Sequence, residues 1–420
     1  MMSKGKRRVP KLRFPGFTED WEQCKLGEIF EYLQNNTLSR DSLNYKNPNI
    51  KNIHYGDILV KFDEILDGSS KDIPYINSEL DLSKFSKSLL RDGDVIFSDT
   101  AEDDTVGKAI ELQNVNEPFI LSGLHTIPCR PLITFGKGYL GNFFNSDSYR
   151  MQLRPLVQGI KVSSISKSAL KDTMIEYPKN LDEQEKIGSL FHHIAKMITL
   201  HQRKLDNLKL KKKALLQKLF PKNGERYPEL RFPGFTDAWE QRKFKDLFKE
   251  RREKTIRENE ETLLSCAITG IYLNSDLFSH FRGSSTVGYL KIKKYDLILS
   301  AQNLHLGNAN INLSFERGMI SPAYKVFELK SIDPYFINAW VKKDTTKNFF
   351  LKATTEGASQ CRKNIEWDVL LNQEIPIPNN LEQIAIGKFI NNIDMIITLH
   401  QRKLDHLKLQ KKALLQQMFV

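Results

Sequence analysis

The chain has 420 residues, of which 40% are hydrophobic and 27% are charged, and its formal net charge is +12. This length predicts two or three domains with ordinary buried cores, and no apolar run reaches the length of a membrane-spanning helix. The basic start, residues 4–8, is followed by charge and proline, which is not the pattern of a signal peptide. We therefore expect a cytoplasmic protein without a membrane partner.

The four cysteines are far apart in the sequence: Cys24, Cys129, Cys266 and Cys361. They show neither the CxxC nor the Cys/His spacing that zinc sites require. We therefore expect reduced thiols and no metal site in this chain.

An internal repeat dominates the sequence. Residues 12–18 read LRFPGFT and recur at 230–236, and residues 198–206 read ITLHQRKLD and recur at 397–405. The opening copies lie further apart than the closing copies, so the first copy is longer. Landmark residues 94–98 and 296–300 place most of the extra length before Asp94. Because insertions and binding residues concentrate in loops, we expect residues 31–90 and 249–292 to set different specificities.

The predicted elements suggest an α/β or mixed α+β class. Strand-like runs alternate with helical stretches such as residues 335–344, and the runs cover residues 56–60, 94–98, 108–112, 296–300 and 323–329. We expect two similar domains with twisted mixed sheets, separated by two long antiparallel coiled-coil helices. The predicted bounds are 1–180 for the first recognition domain, 181–222 for the first spacer helix, 223–380 for the second domain and 381–420 for the second spacer helix.

Each copy closes on a predicted long helix, residues 183–220 and 382–419. Apolar residues recur at steps of four and three, which is typical of a coiled coil, with Lys212 and Lys411 as polar interruptions. The predicted pairing positions are Ile194, Ile198, His201, Leu205, Leu208, Leu215 and Leu219, and Ile393, Ile397, His400, Leu404, Leu407, Leu414 and Met418. A helical hairpin that only dimerises the molecule stays an alternative. His201 and His400 could fix the register of the coiled coil or take part in chemistry.

Positive charge is concentrated in these helices. Residues 198–226 hold nine Lys and Arg against two acidic residues, and residues 397–420 hold five against one. Such a distribution favours nucleic-acid binding, although solvated helix faces would show it as well.

Polar loops after the predicted strands are the candidates for DNA contact. Asn and Gln pair well with adenine in the major groove, and Arg and Lys with guanine; any single residue could equally be an ordinary loop residue. The candidates for base contact are Thr100, Thr105, Lys161, Ser163, Ser164, Gln302, Asn303, His305, Ser359, Gln360, Arg362 and Lys363. The candidates for phosphate contact are Arg150, Arg154, Arg282, Lys291 and Lys293.

One acidic cluster, residues 102–104, follows the strand predicted at 94–98. No further acidic residue lies at a spacing that would complete a metal site. A carboxylate here could accept a hydrogen bond from a cytosine amino group, or the loop could simply be solvated.

The combined pattern resembles a known family. Two divergent domains that open with LRFPGF-x-x-x-WEQ, each closed by ITLHQRKLD-x-LK-x-x-KKALLQ, resemble the specificity subunit of type I restriction-modification systems. The resemblance implies that each domain reads one half of a bipartite, asymmetric site in double-stranded DNA. It also implies that the helices set the spacer and dock two methyltransferase subunits, to which restriction subunits are added. S-adenosylmethionine, ATP and Mg are then expected on the partner subunits, with no catalytic residue in this chain.

Missing motifs favour the same interpretation. The nearest string to the (N/D)PP(Y/F) motif of adenine methyltransferases is residues 333–336, DPYF, which lacks the second proline. There is no FxGxG, no GxxxxGK[ST] loop for ATP and no Pro-Asp dipeptide for a PD…ExK nuclease core. Two rival hypotheses remain: a self-sufficient nuclease or methylase with a divergent core, and a non-catalytic scaffold whose basic helices bind an acidic protein partner.

Overall fold

The structure is a computed structural model and describes residues 8–46, 49–77, 82–116, 119–159, 161–222, 224–279, 285–359 and 362–420, with the backbone alone at 82–83, 356–359 and 362. Arg282, Gln360 and Cys361 therefore lie outside the described residues, as do residues 4–7 of the basic start. The chain forms two compact units. Unit 1 comprises Met1–Gln202 and Arg402–Val420, and unit 2 comprises Arg203–Gln401. The domain bounds predicted from the sequence stay a prediction.

Unit 1 contains a five-stranded sheet in the order β2-β11-β7-β9-β5, a four-stranded sheet in the order β10-β4-β6-β3, and the pairs β1-β13 and β12-β8. The β5–β9 and β10–β4 pairs are parallel and the other pairs antiparallel, so these sheets are mixed. The strands are β1 (Glu22–Lys25), β2 (Phe30–Tyr32), β3 (Leu43–Asn44), β4 (Lys51–Ile53), β5 (Ile65–Asp67), β6 (Tyr75–Ile76), β7 (Val95–Ser98), β8 (Thr100–Ala101), β9 (Ala109–Gln113), β10 (Ile120–Ser122), β11 (Thr126–Pro131), β12 (Ser163–Ser164) and β13 (Met174–Tyr177).

Unit 2 contains an antiparallel sheet in the order β15-β22-β19-β20 and the pairs β14-β25, β16-β17, β18-β21 and β23-β24. The strands are β14 (Glu240–Lys243), β15 (Phe248–Arg251), β16 (Leu264–Ala267), β17 (Gly270–Leu273), β18 (Leu290–Lys293), β19 (Leu297–Ser300), β20 (Ala309–Ile311), β21 (Arg317–Ile320), β22 (Tyr324–Leu329), β23 (Thr354–Ser359), β24 (Arg362–Ile365) and β25 (Glu374–Ile377).

The helices complete a mixed α/β fold, which confirms the predicted class. They are α1 (Leu26–Ile29), α2 (Tyr55–Val60), α3 (Tyr139–Phe144), α4 (Asp147–Leu153), α5 (Lys167–Lys171), α6 (Leu181–Lys218), α7 (Phe244–Leu247), α8 (Asn274–Leu277), α9 (Pro334–Val341), α10 (Asp344–Leu351), α11 (Trp367–Asn372) and α12 (Asn380–Met418). Short 3-10 helices lie at Arg40–Ser42, Leu82–Phe85, Arg154–Leu156 and Leu304–Leu306.

The repeat is visible in the hydrogen-bond ladders. In unit 1, β11 lies between β2 and β7, and Thr126 pairs with Ser98. In unit 2, β22 lies between β15 and β19, and Tyr324 pairs with Ser300. The predicted strands at 94–98, 108–112, 296–300 and 323–329 are thus confirmed as β7, β9, β19 and β22.

The strand predicted at residues 56–60 was wrong, because this run forms helix α2. His54 caps the helix, since its Nδ1 accepts a hydrogen bond from the Gly56 backbone N–H at 3.2 Å. The consecutive residues Asp57 and Ile58 are both buried, whereas Val60 is 88% exposed. Burial therefore does not alternate as it would in a half-buried strand.

The long helices α6 and α12 keep the predicted stripe buried. Every predicted pairing position is buried or half-buried, including His201 and His400. In unit 2, the end of α6 packs beside the start of α12. Leu216 and Ile386 belong to the same hydrophobic core, and Lys212 Nζ contacts Asp394 Oδ1 at 2.5 Å. In unit 1, the start of α6 lies with the end of α12, where the Phe191 ring is 5.9 Å from Phe419. The end of one helix with the start of the other is the pairing predicted for antiparallel helices.

Polar interruptions of the stripe have partners within their own units. Lys212 contacts Asp394 on α12, whereas its counterpart in the repeat, Lys411, contacts Glu64 Oε2 at 2.6 Å. Burial raises the pKa of the Glu64 carboxyl, but the charge and hydrogen bond of Lys411, a backbone hydrogen bond and the charge of Lys108 together outweigh burial, so that the pKa lies below its usual value. The two helices therefore share a stripe but differ in the partner that each lysine requires.

The opening motif LRFPGF clamps each domain to the start of its long helix. Arg13 Nε donates to Glu183 Oε1 at 2.6 Å, and Arg231 Nε donates to Glu382 Oε1 at 2.8 Å. Both glutamates are almost fully buried, at 1% and 0% side-chain exposure. A paired, hydrogen-bonded charge is the form in which a buried carboxylate is tolerated, so this clamp gives a physical reason for the repeated motif.

Candidate nucleic-acid interface

Two predicted loops meet in unit 1. Residues that follow β7 form β8, which pairs with β12, so that Ser164 lies opposite Thr100 and Ser163 opposite Ala101. Gly159 enables the return of the chain, because its φ is +112° and a Cβ there would lie 2.0 Å from the Val162 carbonyl oxygen. Four of the predicted base-contact residues, Thr100, Lys161, Ser163 and Ser164, thus lie on or beside one short β-ribbon.

A groove of about 320 Å³ adjoins this ribbon and is lined by Asp103, Asp104, Arg150, Arg154 and Ser163, among others. Arg150 donates to the carbonyl oxygens of Asp104 and Val106, the latter at 3.1 Å. Burial lowers the pKa of the Arg150 guanidinium. Thr105 donates to Asp103 from its backbone N–H at 2.9 Å and from its hydroxyl, and these bonds lower the pKa of the Asp103 carboxyl. The acidic cluster therefore has a structural use, the ordering of the loop.

The corresponding loops also meet in unit 2. Residues 301–303 follow β19 as a turn, in which Ser300 Oγ accepts from the Asn303 backbone N–H at 3.1 Å. The hairpin β23–β24 approaches this turn, and the Lys363 backbone N–H donates to the Gln302 carbonyl oxygen at 3.3 Å. Gln302 is exposed and His305 half-buried, while Ser359 and Arg362 lie on the hairpin. Both units therefore bring the same two loops together.

Two of the predicted phosphate contacts lie elsewhere, on β18. Lys291 Nζ lies 2.5 Å from Glu260 Oε1 and 3.5 Å from Glu253 Oε1, and the bond with Glu260 raises the pKa of this lysine. Lys293 is exposed on the same strand. Lys291 is thus held between two carboxylates, a setting that competes with phosphate.

Two residues at the edge of the unit 1 ribbon were not predicted from the sequence. His125 Nδ1 lies 3.3 Å from Asp99 Oδ1, and Thr100 Oγ1 donates to the same carboxylate oxygen at 2.7 Å. Asp99 directly follows β7 and His125 directly precedes β11, so the ladder between these strands brings them together. The two residues are far apart in the sequence, so no sequence pattern indicated that they are close. Only the register of β7 and β11 could have predicted the contact.

The long helices also expose apolar side chains at equivalent repeat positions. Leu200 and Leu399 are 64% and 66% exposed, and Leu210 and Leu409 are 66% and 67% exposed. Basic residues surround them in the sequence. Single exposed leucines are common on protein surfaces, but here the same two positions are exposed in both copies of the repeat.

No group of three or more His, Cys, Asp or Glu side chains in the described ranges could hold a metal ion. Cys24, Cys129 and Cys266 are free thiols. Within the same ranges, the chain has no helix of sufficient length and apolarity to span a bilayer.

Comparison with known proteins identifies sequence relatives. The family described as type I restriction modification DNA specificity domain matches residues 18–210. The type I restriction enzyme MjaVIII specificity subunit of Methanocaldococcus jannaschii is 22% identical over 96% of this chain and 92% of its own length. A second specificity subunit of that organism, named for the type I restriction enzyme MjaX, is 22% identical over 94% of this chain and 92% of its own length.

A solved structure supports the fold. The S subunit of the type I restriction-modification system from M. genitalium superimposes with a TM-score of 0.55 at 13% identity, and the match covers 98% of this chain and 99% of that one. The similarity therefore extends over both units, including the parts of unit 2 that lie beyond the family match.

Proposed function

The chain belongs to the type I restriction-modification specificity family, and we propose that each of its two domains reads one half of a bipartite, asymmetric DNA site. The observation that carries this proposal is the pair of meeting loops, which occurs at the same ladder position in both units with different side chains. In unit 1 the loop after the central strand carries Thr100, and in unit 2 it carries Gln302. A shared frame with different polar groups is what two readers of unlike half-sites require.

DNA binding supplies the test of this proposal. The full chain, in complex with methyltransferase subunits, should bind a preferred duplex sequence more tightly than random duplex. Its affinity should fall as salt increases, because neutralised phosphates release counterions. A basic scaffold for an acidic protein would lose affinity with salt as well, but it would show no preference among duplex sequences.

We place the covalent chemistry on partner subunits. Two methyltransferase subunits would dock on the long helices, and restriction subunits would join them, so that S-adenosylmethionine, ATP and Mg would be bound by those partners. The exposed leucines of α6 and α12 support this assignment, since they offer an apolar surface in both copies of the repeat. The assembly would be cytoplasmic.

An assay of the purified chain alone tests whether this chain lacks methyltransferase activity. The purified chain, mixed with S-adenosylmethionine and duplex DNA, should transfer no methyl groups, whereas addition of methyltransferase subunits should start the transfer. Radiolabelled methyl incorporation measures both. Incorporation by the chain alone would contradict the assignment of catalysis to partners.

A further inference from the structure

We propose that His125 and Asp99 form a base-reading pair of the first recognition domain. The pair would recognise a base through an exocyclic amino group in the major groove. This inference rests on the proposed function and deepens it, because it assigns a specificity residue that the sequence did not indicate.

The ladder register shows that the pair belongs to the first domain alone. In unit 1 the Asp99 backbone N–H donates to the His125 carbonyl oxygen at 3.1 Å, and in unit 2 the Ala301 backbone N–H donates to the Ala323 carbonyl oxygen at the same distance. Each bond lies directly beyond the last paired residues of the central strands. The same backbone hydrogen bond thus occurs in both domains, but a carboxylate and an imidazole in one domain are replaced by two methyl groups in the other.

The imidazole has a defined orientation. His125 Nδ1 faces Asp99 Oδ1 at 3.3 Å and Thr100 Oγ1 at 3.4 Å, and the Tyr55 ring contacts the imidazole edge to face at 5.2 Å between centroids. The His125 side chain remains 46% exposed. Among the residues that the structure describes, none makes a hydrogen bond with its Nε2. The pair therefore offers one ring nitrogen for a ligand.

Asp99 acts on the imidazole through Thr100. The Thr100 hydroxyl donates its proton to Asp99 Oδ1, so toward His125 Nδ1, 3.4 Å away, its oxygen can only accept. Nδ1 then carries the proton, and in a neutral imidazole Nε2 is left as an acceptor. In the major groove, the hydrogen-bond donors on the base edges are the amino groups of adenine and cytosine. An Nε2 acceptor therefore matches one of these two groups.

The loop that carries His125 is held in place by the insertion of the first domain. The Asn36 backbone N–H donates to the Ser122 carbonyl oxygen at 2.8 Å, and the Gly123 backbone N–H donates to that of Ile53 at 2.8 Å. The Asn35 side chain donates to the Gly123 carbonyl oxygen at 3.3 Å. His125 itself has a φ of +55°, a conformation uncommon for residues other than glycine that persists where its surroundings enforce it. The loop therefore holds the His125 side chain in position before DNA binds.

The experiment uses the full chain in complex with its methyltransferase subunits and selects preferred sequences from randomised duplex DNA. Two variants are compared with the wild type. His125→Gly removes the imidazole without left-handed strain, and Asp99→Asn removes the carboxylate that accepts the Thr100 proton and thereby orients this hydroxyl toward His125. His193→Ala, the loss of an exposed imidazole on α6, is the control. Thermal unfolding of each variant verifies folding.

Both variants should lose about fivefold or more in preference at the same one or two base pairs of one half-site, since a mismatched pair typically costs at least this much. In a synthetic duplex that lacks the amino group at that position, wild-type affinity should fall and His125→Gly affinity should not. Unchanged preferences in both variants, or changes in the other half-site, would overturn the inference while selective binding by the wild type upheld the proposed function. Wild-type binding without sequence preference would overturn both.

Discussion

Arg231 and Glu382 show how single residues of the repeated opening motif hold a domain. Glu382 is fully buried and Arg231 is 14% exposed, and two hydrogen bonds join their side chains. Removal of one partner leaves an uncompensated buried charge, which typically costs about 3–5 kcal/mol. Arg13 and Glu183 repeat the arrangement in unit 1.

We predict that Arg231→Ala lowers the free energy of unfolding of unit 2 by about 3 kcal/mol. Denaturant unfolding, monitored by fluorescence, measures this change in free energy. Asp172→Ala is the matched control, because it breaks the exposed pair of Lys25 and Asp172 and should have no measurable effect. Equal effects of the two substitutions would show that burial of the pair is unimportant.

Lys343 is a buried cation at the N-terminus of a helix. It occupies the N-cap of α10, where α4 of unit 1 has Ser146, whose hydroxyl accepts from the Tyr149 backbone N–H. Lys343 is 8% exposed, and its Nζ donates to the Pro221 carbonyl oxygen at 3.3 Å. Burial lowers the pKa of Lys343 to about 8. A cation at a helix N-terminus is also unfavourable to the helix dipole.

The pH dependence follows from that pKa. Between about pH 8 and pH 10.5 the folded protein binds fewer protons than the unfolded chain, so the free energy of unfolding should rise with pH across this range. Lys343→Met should raise it by about 1–3 kcal/mol at pH 7 and make the rise with pH smaller. Part of the rise would remain, because burial lowers the pKa of Lys342 to about 8 as well. Denaturant titrations at pH 7 and pH 10 measure the gain in the free energy of unfolding at pH 7 and its rise between the two pH values. A rise as large for Lys343→Met as for the wild type would contradict the role assigned to Lys343.

At the scale of elements, the long helices have two kinds of apolar position. Buried ones such as Leu205 and Leu404 belong to the stripe, whereas Leu200 and Leu399 are exposed. Burial of the stripe explains the stability of the helices, since their lysine-rich composition alone would not. The exposed leucines contribute little to that stability and are available to a partner.

We predict that Leu200→Ser combined with Leu399→Ser leaves stability within about 0.5 kcal/mol per substitution but reduces the recovery of methyltransferase subunits on the tagged chain at least tenfold. Leu381→Ser, at a 72% exposed position near the start of α12, is the control and should retain the subunits. Thermal unfolding and affinity purification are the two measurements. Normal recovery with the double variant would place the docking surface elsewhere.

The sequence predicted the parts of the fold that depend on local periodicity. The helices α6 and α12, which carry the stripe, are 38 and 39 residues long, and β7 and β19 are short apolar runs. A pattern of sufficient length or hydrophobicity was therefore present in each case. Residues 56–60 are also apolar, but His54 supplies a helix cap and Val60 faces solvent. Neither property can be read from hydrophobicity.

The candidate site was predictable as loops and not as pairs of side chains. Position directly after a strand was enough to select Thr100 and Gln302. The contacts Arg13–Glu183 and Asp99–His125 join residues that are distant in sequence, and they depend on how whole elements pack and pair. Lys291 looked like a free basic residue, whereas the fold places it beside Glu260.

At the scale of the whole molecule, two units share a frame and differ in their loops. Unit 1 contains the additional sheet β10-β4-β6-β3, and three of its strands, β3, β4 and β6, lie in the segment before Asp94 that the repeat had shown to be longer. Unit 2 builds the corresponding region from β16, β17 and α8. Modular exchange of one domain is therefore compatible with the rest of the chain, because the clamps and the long helices recur in both copies.

The most direct test of the central claim, one half-site for each domain, is a comparison of recognised sequences before and after such an exchange. Residues 20–180 would be replaced by those of a relative, and methylated DNA positions would be mapped for complexes of the wild-type and hybrid chains with the methyltransferase subunits. We expect two separated specific segments for the wild type and a change in only one of them for the hybrid. A single continuous site, or a hybrid in which both segments change, would contradict this claim.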